Sequence, residues 1–598
     1  MAGRSSMPEA GTVEAPRGER GAALLVAMLA AVFLTILGLV LVEILKGGLS
    51  QAASTEASIQ AEALAQRGLD DAVALIWNEV KSANGLTNAN MHGRVDAVHS
   101  ALGRKDDQGA LLGQLHGLTV QGERGSYTIE IAEDVNNYTD FLNNRDLIPD
   151  YPYSRILTVK VTAKAGTLRK RTAVREADIF VTTINPVFKY PLSASESLTL
   201  NGAVYVVGDV LVRSGNMYVL DKAYFIGSPE TLYRMDTALP TVKGFYRADE
   251  VIRMNTVENP GVPEPGDRFS VFEPFEDTEL PVDADIPIDD FVNDRVLEMT
   301  ARLDEPHGFF GTTVEEDRLE GYTVSGSVTD STRYVNQWVR FSKDVDIKNS
   351  NGSPAHFAVD NGVLMMDADA RVNLSNGSLY VRYAESQSIA AATFAGSLEV
   401  NPPHAVVVQG NAVIMGGFRF KGNMYVDGSL QIVGSVNLEG TIYVSGDVDM
   451  KEMRSLNSEE EGSGPSAPLI LLSGGSIVFS DIRPANDDSI RVRAFLYSLE
   501  PMSLYGVQSK MIITGGIHGS SVTINAVRED SGNRSSNVHF TVKGNANDQF
   551  LLTPTDDQLV LPPDASNLQI YYDHRLFSDP PVGIPVTENL TMFVQSRV

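Results

Sequence analysis

Between Arg20 and Glu43 the chain carries no charged side chain, and Gly21 to Val42 reads GAALLVAMLAAVFLTILGLVLV. As a helix this run rises about 33 Å, enough for a hydrocarbon core of roughly 30 Å. A globular core helix would show a polar stripe, and here the only polar residue is Thr35. A cleaved secretory signal has a shorter apolar region, about 7–15 residues, although Ser50-Gln51-Ala52 would fit a cleavage site. The pattern therefore predicts a single membrane span from Gly21 to Val42. No second apolar run of that length follows.

The helical period continues beyond the span. No proline occurs from Gly48 to Val80, and Ala53, Ala57, Ala61, Leu64, Gly68, Ala72 and Leu75 recur at steps of three and four. This predicts one long helix, apolar all round at first and amphipathic afterwards. The pattern then changes to a period of two in Ser126–Ile131, Ile156–Ala163 and Thr172–Arg175, which reads as half-buried strands. A helix followed by an antiparallel sheet would bury the amphipathic half of the helix.

Further on the chain repeats itself. Gly422 opens GNMYVDGSLQI, Gly440 opens GTIYVSGDVDM eighteen residues later, and Gly202 opens GAVYVVGDVLV. Gly377-Ser378-Leu379-Tyr380-Val381 is a partial copy. A fixed short period is the mark of a solenoid, and an 18-residue coil fits a three-sided parallel β-helix. Gly202, Gly208, Gly422, Gly428, Gly440 and Gly446 are the expected corners, because glycine takes left-handed backbone at little cost. Tyr425, Leu430, Ile432, Val436 and Leu438 are expected to point inward, with Tyr425 beside Tyr443 and Leu430 beside Val448. Asn423, Asp427, Gln431, Asn437 and Glu439 are expected to face water. A run of ordinary hairpins sharing glycines is the competing reading.

The expected fold is mainly β with a long N-terminal α-helix. It comprises a leader at 1–20, the transmembrane helix at 21–42, its amphipathic extension at 43–80 and a small α+β segment at 81–185. A first solenoid part at 186–254 is interrupted by an acidic, Pro-rich insertion at 255–320, read as extended and solvated. The main solenoid follows at 321–550, and a C-terminal cap at 551–598, in which Leu568–Leu576 closes the open end.

Two stretches resemble a known family. Glu19-Arg20-Gly21-Ala22-Ala23-Leu24-Leu25-Val26 with its apolar run, and Ala61-Glu62-Ala63-Leu64-Ala65-Gln66-Arg67-Gly68-Leu69, are similar to the N-terminal region of PilX-type pilus assembly proteins. Those are minor pilin-like proteins of type IV pilus and type II secretion-like systems. The resemblance implies prepilin peptidase cleavage between Gly21 and Ala22, and partners among other pilin-like or secretion-system subunits. Main pilins carry a glutamate where this chain has Val26, so the implied role is accessory. The repeats also resemble the coils of bactofilins and similar β-helix proteins. The segment from Leu568 to Leu576 with Pro580-Pro581 is similar to the ends of large pilin-like envelope proteins.

Charge narrows the partners. The 598 residues carry a formal charge of −28, which disfavours nucleic acid and anionic lipid surfaces as main partners. Arg4, Arg17 and Arg20 precede the span and only Lys46 appears between it and Arg67. Counting basic residues alone puts the N-terminus in the cytoplasm and the ectodomain outside. There is no cysteine, so disulfides and thiol chemistry are excluded.

Few residues are spaced for known chemistry. Nine histidines show no zinc spacing, and no HExxH, Gly-x-Ser-x-Gly or phosphate-cradling loop occurs. Asp344, Asp346 and Asn349, and Asp367 with Asp369, place oxygens at alternate positions, but neither run completes a calcium loop. Lys160, Lys164 and Arg169–Arg171 form one basic patch, read as a solvated strand face. The expectation is a non-enzymatic pilin-like structural or assembly protein without cofactor or metal, held in the lipid bilayer and open to a surface polysaccharide. Two alternatives remain. One is an anchored polysaccharide-processing β-helix enzyme using Asp427, Asp447 and Asp449 as a carboxylate row; the other is a plain surface adhesin.

Overall fold

The structure is a computed structural model. It describes residues 17–596 apart from 103–116, 123–124, 137, 167–169, 221, 228–230, 238, 245, 257–258, 261–284, 306–308, 375, 384–388, 454, 458–467, 481–488, 507–509 and 528–565.

Helix α1 (Arg17–Asn84) is continuous over 68 residues. From Ala57 onward one face is buried, through Ala57, Ala61, Ala65, Ala72, Ile76, Val80 and Ala83. Leu75, expected on that stripe, is 40 % exposed. Each residue turns the helix by about 100°, so a one-residue slip moves it off the face that Ile76 occupies. Helix α2 (Met91–Leu102) adds Met91, Val95, Val98 and Leu102 to the same core.

That core is closed by an antiparallel sheet. Strands β1 (Leu118–Gly122), β2 (Gly125–Asn136), β3 (Ser154–Ala165) and β4 (Arg171–Ile184) pair in chain order. The fifth strand is C-terminal, Val586–Ser596, antiparallel to β4. Asn84 at the end of α1 holds it in place: its Nδ2 donates to Leu590 O at 2.8 Å and its Oδ1 accepts from Leu590 N–H at 2.9 Å. The end of the chain is thus built into the α+β unit.

The rest is a large sheet whose successive passes pair in parallel. Tyr425 pairs with Tyr443 and Leu430 with Val448, the register that the repeat predicts. Three columns run through the sheet. One carries Val406, Met424, Ile442 and Leu471. The second carries Ala412, Leu430, Val448 and Ile477, and the third Leu398, Phe420 and Leu438. All of these share one buried apolar cluster. Leu430, Ile432, Val436 and Leu438 belong to it, as expected, but Tyr425 does not. Side chains alternate across a strand, and the inward neighbours of Tyr425 are Met424 and Val426. Tyr425 is buried from the other side.

What covers it is helix α4 (Ile288–Asp304), which follows the short α3 (Tyr138–Asn144) in chain order. This corrects the reading of 255–320 as an extended insertion. Ile288, Val292, Val296, Met299 and Leu303 repeat at steps of four and three and are buried, while Asp289 and Asp290 occupy the first turn, where acids suit the helix dipole. The proline-rich part of the stretch, 261–284, lies outside the described residues.

The stack does not follow chain order. Strand β5 (Leu192–Gly202) pairs with Met511–Ala526, joining Leu192 to Ile517 and Leu200 to Ile524. The chain then continues away from this junction, Leu192 beside Val210 and Val210 beside Tyr246. Residues 312–526 therefore approach β5 from one side while 204–256 extend from the other. Leu568–Tyr572 lies inside the stack as well, with Leu568 beside Met511 and Val204. The expected capping strand instead lies between Met511–Gly515 and Val204–Val207, inside the stack.

Candidate functional site

The most exposed apolar surface is on α1. From Leu24 to Leu49 every large hydrophobic side chain is between 52 % and 72 % exposed. One stretch of this helix is long and apolar enough to cross a membrane, and none of it is buried in the protein. Between Leu24 and Val42 the one polar side chain, Thr35, is satisfied within the helix, its Oγ1 donating to Ala31 O at 2.7 Å, which removes an unpaired donor from an apolar medium. Val42 lies within this exposed run. Gly21 and Ala22 lie within the backbone of α1.

Where α1 meets the sheet, the approach is close. A Cβ on Gly68 would stand 2.6 Å from the Tyr127 ring and 2.6 Å from Val161 Cγ1. The Tyr127 hydroxyl donates to Asp71. Burial, and then the Asp71 hydrogen bond, push the phenol up to about 12, so it stays a donor at neutral pH. The α1 register on the sheet is fixed by this pair.

Of the glycines expected at corners, Gly208, Gly428 and Gly446 lie in bends between strands, whereas Gly422 and Gly440 fall within the strands Arg419–Asp427 and Asn437–Val444 and Gly202 is the last residue of β5. Gly202, Gly208, Gly422, Gly428 and Gly440 have positive φ, and Gly446 does not. At Gly440 (φ 126°) a Cβ would lie 1.9 Å from Gly422 O. Gly446 is needed for space, since its Cβ would meet Gly428 O at 2.9 Å.

A polar cleft of about 610 Å³ opens where α4 lies over the low-numbered end of the stack. Arg295, Glu298 and Arg302 of α4 form one wall, and Phe309, Asp330, His356, Tyr380 and His404 contribute to the others. Arg295 pairs with Glu298 at 2.9 Å. The Arg302 guanidinium sits 4.5 Å from the centre of the Phe309 ring, and His356 lies 4.5 Å from the same ring. The Ser378 N–H donates to His356 Nδ1 at 3.1 Å, which leaves Nε2 as the protonated nitrogen of the neutral ring. Burial, with the charges of His404 and Arg302, lowers this imidazole to about 4. His404 Nε2 lies 3.2 Å from Asn376 Oδ1, and burial lowers its pKa as well. Sequence reading treated these histidines as scattered. His356 and His404 are far apart in the chain, and only the pairing of successive passes brings their rings to 5.6 Å.

The carboxylates weighed for polysaccharide chemistry do not form one row. Asp427 pairs with Gln409 in one column and Asp449 with Gln431 in another. Asp447 accepts from the backbone and hydroxyl of Ser476 at 2.8 and 2.9 Å, and Asp449 is held by Lys451 at 2.7 Å. Of the calcium candidates, Asp367 is occupied by Arg340 and Asp346 by Lys348. Among the described residues no group of three or more His, Asp or Glu is placed to hold a metal ion. In the basic patch Lys160 pairs with Glu176 at 2.9 Å and Arg171 with Ser54, while Arg169 lies outside the described residues. The chain matches no protein-family model, no curated protein and no solved structure.

Proposed function

We propose that the chain is a membrane-anchored, pilin-like structural or assembly protein of the bacterial envelope, in a type IV pilus or type II secretion-like system. The observation that carries the reading is the two-part character of α1. Its first half exposes apolar side chains on all sides, and its second half packs into an antiparallel sheet. A helix of this kind can sit in a bilayer or among the helices of other subunits while holding a folded head outside.

In this reading Gly21 to Val42 is a single span with the N-terminus cytoplasmic, and cleavage between Gly21 and Ala22 would free the helix for assembly. The parallel stack serves as a non-catalytic β-solenoid. Its core is one continuous apolar cluster, so it projects from the membrane as a rigid body rather than a flexible tail. The head and the stack move together, because Phe577 of the C-terminal segment lies 5.9 Å from Phe180 of the sheet and 4.8 Å from Phe593. Tyr443 in the stack donates to Gly583 O at 2.8 Å, in the same segment.

The test is in-cell photocrosslinking from Leu29, Val32 and Leu39, paired with fractionation. Crosslinks to pilin-like subunits, and retention in the membrane pellet, are expected. Crosslinks to lipid alone in a strain that assembles its pili normally without this gene would overturn the assembly role.

A further inference from the structure

The geometry points to the cleft beneath α4 as a binding site for a neutral saccharide, presented by a glycan outside the membrane. Arg295 and Glu298 neutralise one another. Among the described residues the Arg302 guanidinium has no hydrogen bond or ion pair, and neither has the Asp330 carboxylate. The Nε2 of His356 is likewise free, while its Nδ1 is taken by the Ser378 N–H. The cleft therefore offers donors at Arg302 and His356 and an acceptor at Asp330, and the charges of Arg295, Glu298, Arg302 and Asp330 sum to zero.

A charged ligand would leave one member of the Arg302 and Asp330 set uncompensated. A sugar hydroxyl both donates and accepts, so a polyol can satisfy Asp330 and the two donors together. Phe309 and His356, both partly exposed, add apolar surface against which C–H groups of a pyranose can lie, with Tyr380 buried behind His356. The volume of about 610 Å³ is that of a ligand site. The charge of −28 on the whole chain also repels an acidic polymer and leaves a neutral one unaffected. The walls are rigid where it matters: α4 is fixed by its buried apolar face, and Asp360 ties its C-terminal end to the stack through Arg333 and Arg382. This inference is independent of the assembly role.

The experiment uses the full chain in lipid nanodiscs, since sugar-headed detergents would compete. Maltose, cellobiose, lactose and chitobiose are the probes, with binding read by calorimetry and saturation-transfer NMR. At least one is expected to bind with a Kd on the order of 1 mM. Asp330→Asn and Arg302→Gln are each expected to weaken it about tenfold, the loss of one good hydrogen bond to a charged group. His356→Asn keeps an acceptor for the Ser378 N–H and removes the Nε2 donor, so it should weaken binding with an unchanged melting temperature. Failure of all four disaccharides to bind overturns the proposal. So does binding that survives both Asp330→Asn and Arg302→Gln, or glucuronate binding more tightly than the neutral sugars.

Discussion

The Ser193 hydroxyl lies 2.8 Å from Nδ1 of His518, across the junction where β5 meets Met511–Ala526. Ser195 reaches the other ring nitrogen at 3.4 Å, and the ring stacks on Tyr497 at 4.5 Å. The contact joins positions 325 apart in the chain. It marks the place where the part of the stack formed by residues 312–526 meets the part that continues from β5.

This junction should be acid-sensitive. Burial, with the charge of Arg213, lowers His518 to about 3 against an ordinary value of 6.5. The unfolded chain therefore takes up a proton that the folded chain refuses. The stabilisation is complete above about pH 6.5 and is lost progressively as the pH falls toward the folded pKa, by up to about 1.4 kcal/mol per pH unit. His356 acts in the same direction down to about 4. Denaturant midpoints measured from neutral pH down to about pH 5 should fall steadily. His518→Gln, which cannot titrate, should flatten that slope. An unchanged slope in the variant would show that the ring is not buried neutral.

The close approach of Gly440 to Gly422 should tolerate nothing larger than glycine. A Cβ at Gly440 would meet Gly422 O at 1.9 Å, and its φ of 126° is strained for any L side chain. Gly440→Ala is expected to destabilise by on the order of 3 kcal/mol. At Gly321 a Cβ meets nothing within 4 Å, so Gly321→Ala should stay within about 0.5 kcal/mol. Equal melting temperatures for the two variants would contradict the stacked register.

The register was legible because glycine spacing and strand alternation are local signals. The pairing of Tyr425 with Tyr443 follows from eighteen residues of sequence. The direction of Tyr425 was not legible, because a repeat does not say which face another element covers, and α4 turns an outward tyrosine into a buried one. Helix α4 was missed for a related reason. Its apolar spacing is sound, but the acids and prolines before it dominate the composition of the window. The strand at Leu568–Tyr572 and the histidine cleft both depend on long-range pairing, which no short motif encodes.

Asp360 should behave as the latch of α4. The residue is only 4 % exposed, and its carboxylate accepts from Arg333 and from Arg382, the latter at 2.7 Å. Arg333 also donates to Leu303 O at 2.6 Å, at the end of the helix. Burial alone would raise this carboxyl, but the hydrogen bonds and charges of Arg382 and Arg333 outweigh it and hold the pKa below 3.8. Its stabilising contribution is thus present above about 3.8 and is lost as the pH falls below that value. Asp360→Ala leaves the Arg333 guanidinium without its anion and Arg382 with only Asp304 at 3.5 Å, and should cost about 3 kcal/mol. Hydrogen exchange should accelerate across 288–304 before the rest of the stack. Uniform acceleration would mean that the ion set stabilises the stack and not the helix.

Gly68 should set how closely α1 can approach the sheet. Replacing it with alanine adds helix propensity of about 1 kcal/mol, but the new methyl would stand 2.6 Å from both the Tyr127 ring and Val161. Overpacking of this kind costs about 1–3 kcal/mol, so the net effect of Gly68→Ala is a modest loss. Gly68→Leu cannot be accommodated without lifting the helix from β2 and β3. It should break the hydrogen bond from Tyr127 to Asp71 and speed amide exchange across 57–83. The stack, with its separate core, should keep its protection. Gly48→Ala, with nothing within 4 Å of the new Cβ, should show only the propensity gain. If Gly68→Leu left exchange in 57–83 unchanged, α1 would not be seated on the sheet by this face, and the support for a pilin-like head would go with it.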